Sequence, residues 1–257
     1  MRPQGQAKAG FYPTPPKVTS LIASHIKLQD KEKLYRYIDP CAGEGIGLRQ
    51  LTDLLQGFGN PKNETYGIEL DAGRALKAKV NLTRCISCDF FTVRTSRQAY
   101  SLILLNPPYD SSGDETQRLE HKFLVGCKDL LTVNGILILI IPQTRLIKLT
   151  ARNLAAYYQD IQVFRFPDPE YSVYKQIVIF AKRKADNIPN EARQAELEKT
   201  IDLFDGFGNS TLPILEKKAK PVYILPPSPL LDNFYFRGYE IEPQEALEQI
   251  QKNGLWT

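Results

Sequence analysis

Asn106-Pro107-Pro108-Tyr109 closes an apolar run, Ser101 to Leu105, that has the composition of a buried strand. Two prolines at that point end a strand's hydrogen-bond ladder and stiffen the loop that presents Asn106 and Tyr109. An exocyclic aromatic amine is a poor nucleophile, because its lone pair is conjugated into the ring. The carboxamide oxygen of Asn106 and the backbone carbonyl of Pro107 can both accept N–H bonds from such an amine, drawing the nitrogen toward tetrahedral geometry and freeing the lone pair. Tyr109 can stack on the face of the base and hold it for in-line attack on an electrophilic methyl group. No histidine base is needed, and the chain has only two histidines, His25 and His121, neither within a motif.

Three further groups stand at the ends of apolar runs. Ile38-Asp39-Pro40-Cys41-Ala42-Gly43-Glu44-Gly45 lies where a strand gives way to a helix, so that a ligand can lie against glycine backbone and free helix amides. Tyr66-Gly67-Ile68-Glu69-Leu70-Asp71 puts an acid at the tip of the next run, where a carboxylate can accept both hydroxyls of a ribose. Cys88-Asp89-Phe90-Phe91 follows a third, short run. Taken singly, the first two read more readily as a strand-end turn and a helix N-cap than as a ligand site. Gly43, Gly45 and Gly47 give GxGxG and not the GxGxxG of dinucleotide-binding turns, which sets NAD-dependent oxidoreduction aside.

The elements that must position these residues follow from the hydrophobic pattern. Strands are expected at Tyr35–Ile38, Glu64–Glu69, Ser101–Leu105, Gly135–Ile141, Gln162–Phe166 and Gln176–Ala181, and helices at Leu48–Leu55, Ala72–Asn81, Arg118–Leu131 and Thr150–Tyr158. That alternation predicts an α/β fold with a largely parallel sheet. The composition changes at Lys182, and Asp186 to Asn190 reads as a linker. Residues 1–185 are expected to form the main domain, and 186–257 a small C-terminal subdomain or partner-docking tail. The tail's candidate elements are a helix over 191–204, the run Pro221 to Leu225, a strand at Phe234-Tyr235-Phe236 and a helix over 243–252.

Composition narrows the function classes. At 257 residues with 42% hydrophobic and 24% charged side chains, the chain can bury a sizeable core. Net charge is +9 over residues 1–185 and −5 over 186–257, which fits a polyanionic partner for the larger part. Cys85 and Cys88 form an isolated CxxC with no second pair and no histidine nearby, so no metal site is expected. No apolar run reaches the roughly 18 residues that span a bilayer, and Met1 to Gln6 lacks a signal-peptide core. No membrane role is expected, and a cytoplasmic location with reduced cysteines is.

Together these motifs resemble the class I S-adenosylmethionine-dependent amino-methyltransferases of the adenine-specific DNA methylase type, in the gamma-class order. The similarity covers about residues 10–182, and NPPY preceded by DPCAGEG is its most specific part. The resemblance implies a Rossmann-like sheet with helices on both faces plus a small C-terminal appendage, and S-adenosylmethionine as cofactor. It assigns Asn106, Pro107, Pro108 and Tyr109 to catalysis. Asp39, Cys41, Gly43 and Gly45 become the first cofactor motif, Glu69 the ribose acid, and Asp89 with Phe90 the adenine contact. Gly10-Phe11-Tyr12-Pro13-Thr14-Pro15 resembles the FYTP segment at the cofactor's methionine end, but Pro13 is inserted, so Phe11, Tyr12 and Thr14 all stand as contacts. A second aromatic wall for a flipped base falls on Tyr171, ahead of Tyr174. Arg145, Lys148, Arg165 and Lys175 stand along the expected nucleic-acid path.

The implied activity is direct methyl transfer to the N6 amine of a flipped-out adenine in DNA. RNA adenine or another amino group is the nearest alternative, and a non-catalytic nucleic-acid-binding relic of the fold is a third reading. Residues 186–257 are short and acidic for a target-recognition domain. Sequence choice is therefore expected from loose recognition, a further domain, or a separate specificity or helicase-type protein partner, as in restriction-modification.

Overall fold

The computed structural model describes residues 12–57, 60, 62–109, 118–185, 195, 199 and 212–238. Alternation along the strands decides its layers. In β7 (Leu131–Pro142), Ile136, Ile138 and Ile140 enter one buried cluster while Leu137, Leu139 and Ile141 enter another, because successive side chains leave a strand on opposite faces. Both faces therefore need a cover. Helices α1 (Pro16–Ser24), α2 (Ile46–Gln56) and α3 (Ala72–Asn81) supply Val18, Ile22, Leu48, Leu51, Ala75 and Ala78 to the first cluster. Helices α4 (Leu119–Cys127) and α5 (Lys148–Tyr157) supply Phe123, Leu124, Ala151 and Leu154 to the second.

The central sheet has seven strands in the order β4 (Arg84–Ser87), β3 (Asn63–Glu69), β2 (Tyr35–Asp39), β6 (Tyr100–Leu105), β7, β9 (Gln176–Arg183) and β8 (Tyr158–Arg165). The first five are parallel, and β9 runs antiparallel to both of its neighbours. This is the expected Rossmann-like sheet with helices on both faces. From β2 the chain builds outward to β3 and β4 on one side and later returns to add β6 and β7 on the other. The crevice between β2 and β6, outside their carboxyl ends, is the switch point at which open α/β sheets bind ligands.

Two expectations are corrected. The helix expected over 118–131 ends at Cys127, and strand pairing begins at Leu131. Its continued leucine spacing mimics a helix, but Asn134 takes a left-handed φ of 61° and a Cβ on Gly135 would lie 2.9 Å from the Ser101 carbonyl oxygen, so the backbone there is committed to the sheet. The stretch after Pro15 is a helix not anticipated from the sequence; Pro16 sits in its first turn, where a missing N–H costs nothing.

The described part of the C-terminal region, 212–238, is wound onto the domain. Leu215 N donates to the Arg165 carbonyl and Arg165 N to the Pro213 carbonyl at the end of β8, and Val222 N and Tyr223 N both donate to the carbonyl of His25. Here β10 (Tyr223–Leu225) pairs in parallel with β1 (Ile26–Leu28). The chain then passes the amino ends of β2 and β6, where Ser228 Oγ accepts from Arg36 N at 2.7 Å and lies 2.8 Å from Ser101 Oγ. It finishes as β11 (Phe236–Arg237), antiparallel to β5 (Arg94–Thr95). Of the helix expected over 191–204 only Ala195 and Lys199 are described, both helical; the one expected over 243–252 lies outside the described residues.

Candidate active site

Four neighbouring parallel strands bring four of the residues singled out in the sequence together at their carboxyl ends. In sheet order these are Asp89 after β4, Glu69 closing β3, Asp39 closing β2 and Asn106 after β6. Asp39 is buried, and its Oδ1 accepts the Cys41 amide at 2.8 Å. Burial foremost, with Glu69 nearby, pushes its carboxyl up to about 7, against the pull of that hydrogen bond. Gly43 and Gly45 have φ of 55° and 77°, which L side chains rarely adopt, so the turn that leads into α2 is built on glycine. Beneath it, a Cβ on Gly67 would lie 2.5 Å from Leu82 and 2.9 Å from Ala42, so this glycine lets the turn sit down on β3. Burial also raises the Cys41 thiol well above its ordinary range, leaving it neutral and without nucleophilic character.

Glu69 ties the turn to its neighbour. Its Oε2 accepts Gly43 N at 2.9 Å, and its Oε1 accepts Asp71 N at 2.8 Å and the Arg74 guanidinium at 2.7 Å. Asp71 in turn caps α3 by accepting Arg74 N at 2.8 Å. Asp89 plays the same capping part at the 3₁₀ turn Phe90–Thr92, accepting Phe91 N at 3.1 Å. The Phe90 ring stacks on Phe123 of α4, with centroids 5.1 Å apart.

The proline-stiffened loop presents Asn106 in one orientation. Its Nδ2 donates to the Tyr12 carbonyl at 2.7 Å and toward Thr14 Oγ1 at 3.4 Å, while its Oδ1 accepts the Tyr109 hydroxyl at 2.9 Å. The Tyr109 oxygen accepts from Gln176 Nε2 at 2.8 Å. Burial holds the Tyr109 hydroxyl above its usual range, so it remains a donor. Tyr12 lies nearly parallel to Tyr109, 6.2 Å between centroids, and 5.4 Å from Tyr174. The segment upstream of α1 and the loop after β6, 94 positions apart, thus meet at one amide. Phe11 lies outside the described residues.

The two aromatic candidates of the 166–174 loop part company. Tyr171 donates its hydroxyl to Gln143, and Arg165 and Lys175 stand 4.8 and 4.7 Å from its ring. Tyr174 keeps a free edge and is the one in contact with Tyr12. Of the two rings, Tyr174 is thus the one beside Tyr12 and Tyr171 the one held by Gln143. Of the four cations placed on the nucleic-acid path, Arg145 pairs at 3.0 Å with the buried Glu120, and Arg165 with Asp168 at 3.1 Å.

Gln176, Gln143, Arg74 and Glu120 are residues the sequence reading missed. None lies within a recognisable motif; only the sheet order and the loop crossings bring them to the site. Among the described residues no cluster of three or more His, Cys, Asp or Glu is arranged to hold a metal ion.

Comparison with known proteins agrees with the fold. The sequence model of an uncharacterised methyltransferase family, DUF6094, matches residues 2–226. A class I S-adenosylmethionine-dependent methyltransferase structure from Listeria monocytogenes superposes with a TM-score of 0.54 at 13% identity, covering 72% of this chain and 69% of that one. The methyltransferase subunit of a type I restriction-modification system from Streptococcus thermophilus gives 0.53 at 15% identity, covering 95% of this chain and 57% of that subunit. A search of curated proteins finds no match to the sequence.

The donor set suits S-adenosylmethionine. Asp39 is a buried carboxyl group that no cation pairs with among the described residues, and Glu69 is an acceptor at the adjoining tip. Both lone pairs of Glu69 Oε1 and one of Oε2 are already engaged, so a diol that donates both hydroxyls to Glu69 displaces one of three donors, of which the Arg74 side chain, unlike the two backbone amides, can swing away.

Proposed function

Because the chain belongs to the DUF6094 methyltransferase family, we propose that its site transfers a methyl group from S-adenosylmethionine to the exocyclic N6 amine of adenine in DNA. The observation that carries this reading is the fixed carboxamide of Asn106, at the switch-point crevice beside Asp39 and Glu69. With Tyr109 donating to one lone pair of Oδ1, the other is left for an amine N–H. The Pro107 carbonyl is the second acceptor, and proline, having no N–H, fixes its direction.

Bound S-adenosylmethionine supplies a sulfonium methyl, an electrophile that departs with both electrons of its C–S bond on sulfur. Asp39, Cys41, Gly43, Gly45, Glu69, Asp89 and Phe90 would hold it, with Tyr12 and Thr14 toward its methionine end. Asn106 and Pro107 orient the amine lone pair, and the proton lost from the methylated nitrogen has their oxygens as its first acceptors. Tyr109 and Tyr174 flank the base. Such enclosure of a base at strand tips requires that it leave a duplex stack. Preference for DNA rests on the gamma-class order of the motifs, and the positive 1–185 region suits the polyanion. The Streptococcus thermophilus subunit, similar over 95% of this chain, belongs to a DNA-modifying system, which is consistent with a partner that supplies sequence choice.

The test is transfer from labelled S-adenosylmethionine to single-stranded DNA, duplex DNA and total RNA, read by nucleoside mass spectrometry. N6-methyladenine in DNA is the expected product. Methyladenine in RNA alone moves the substrate and keeps the chemistry; cofactor binding without transfer to any of them points to a missing specificity partner or a protein substrate, and no cofactor binding at all overturns the reading.

A further inference from the structure

We propose that Gln176 is a positioning residue for methyl transfer, its side-chain amide directing the Tyr109 hydroxyl hydrogen onto Asn106 and so fixing which end of the Asn106 carboxamide meets the acceptor amine. The inference rests on the role of Asn106 proposed above. A phenol has one hydrogen. Gln176 Nε2, 2.8 Å away, brings its own hydrogen to the Tyr109 oxygen, and the Tyr109 hydrogen is thereby directed to the other partner, Asn106 Oδ1 at 2.9 Å. On the far side of the carboxamide stands the Tyr12 carbonyl at 2.7 Å, which can only accept. A flipped Asn106 would set oxygen against the Tyr12 oxygen and leave the Tyr109 O–H without its acceptor. The oxygen-inward orientation is the one the amine requires.

The residue is built in for this. Gln176 is 5% exposed at the start of β9, in register with Pro142 at the end of β7, and Phe166 N bonds to its carbonyl at 3.1 Å. Its side chain is therefore carried by paired strand on both flanks. A relay of fixed donors is preorganisation: the acceptor lone pair is aimed before substrate arrives. The titratable groups acting on Tyr109 are Glu120 on α4, Cys41 after β2 and Tyr12; Glu120 is paired with Arg145, and Lys175 adjoins Gln176 in sequence with its ammonium turned to Tyr171.

Gln176→Glu reverses the relay at neutral and alkaline pH, because a carboxylate only accepts and draws the Tyr109 hydrogen to itself. When protonated it donates again, and a carboxyl in so buried a position titrates above its usual range. The direct readout is the side-chain NH2 signal of Asn106 in 15N-labelled protein with S-adenosylhomocysteine added. We expect slow exchange in the wild type at every pH, and in Gln176→Glu a loss of protection at pH 8 that returns on acidification. The kcat of that variant should be lower by about 10- to 100-fold at pH 8, recovering toward wild type near pH 6, with KM for the cofactor within about twofold. Gln176→Leu should lose a similar factor with no pH recovery, and Gln176→Glu should add nothing in a Tyr109→Phe background. Asn106 signals equally protected in wild type, Gln176→Glu and Gln176→Leu would overturn the relay whatever the activity. A wild type that methylates no amine while the signals respond as described overturns the reaction and leaves the relay standing.

Discussion

Asn106 is the residue on which the reaction turns. Asn106→Ala removes one of two acceptors for the amine and unties Tyr12 from Tyr109, while every carboxylate at the cofactor end keeps its partners. Transfer should fall by about 10²–10³-fold or more, with cofactor affinity nearly unchanged by calorimetry; turnover near wild type would remove Asn106 from the chemistry. Asp39 gives a pH signature. Its folded-state carboxyl titrates at about 7, well above an unfolded aspartate, so the folded protein carries an extra proton between those values. Stability from this group is full at low pH and is lost as pH rises through about 7. A cation held beside Asp39 favours the ionised form, so cofactor affinity should run the other way, rising through pH 7 and then levelling. Asp39→Asn should flatten both profiles, and a cofactor titration that keeps its pH dependence in that variant would place the titrating group elsewhere. Arg74 supplies the third case. Its guanidinium holds Glu69 Oε1 at 2.7 Å, and Arg74→Ala spares a ribose the work of displacing it. Cofactor binding should tighten by several-fold while thermal stability drops, because Glu69 is left buried with one partner fewer.

At the scale of elements, His25 links α1 and β1 to the returning chain. It is fully buried, stacked on Phe180 at 5.0 Å and edge-on to Phe164, with Nε2 3.0 Å from the Glu216 carbonyl. Burial chiefly lowers its pKa, against the raising effect of that carbonyl. The unfolded chain thus takes up this proton first, and stability should fall as pH drops below about 6.5. Melting curves between pH 7.5 and 5 should show this loss in wild type and a smaller one in His25→Phe; identical slopes would mean His25 is not the group responsible. No local signal announces this histidine, because its ring partners come from β8 and β9 and its carbonyl partner lies 191 residues away. The same physics divides what was legible from what was not. Strands that are continuous apolar runs, such as 136–141 of β7, and the NPPY and DPCAGEG turns were readable, since each is fixed by its own residues and their neighbours. The parallel pairing of Ile26 with Tyr223, the junction of Tyr12 with Asn106 and the Gln176 contact are products of chain crossing. Tyr171 and Tyr174 lie three residues apart, and nothing in their sequence told the anchored ring from the exposed one.

For the whole molecule, the charge boundary near residue 185 and the packing boundary do not coincide. Residues 212–238, beyond that boundary, return to the larger unit and fill both of its apolar layers: Leu215, Tyr223 and Leu225 enter the cluster beneath α1 and α2, while Leu212 and Phe236 enter the one beneath α4 and α5. All five are at most 2% exposed. Fully burying a large apolar side chain stabilises by roughly 1.5–3 kcal/mol, so together they contribute on the order of 10 kcal/mol. That equals the whole net stability of a typical domain, about 5–15 kcal/mol. The polar connections add to it, since ending the chain early also strips Ser228 from Arg36 N and Pro229 from the Arg36 guanidinium at the foot of β2. A protein ending at residue 185 should therefore fail to fold cooperatively, with no sharp melting transition. Tyr223→Ala and Phe236→Ala should each cost about 3–5 kcal/mol in the intact chain. A soluble 1–185 fragment with a cooperative transition and cofactor affinity equal to the full chain would show the returning segment to be a dispensable cover. The expected outcome makes it a part of the core without which the sheet does not hold together.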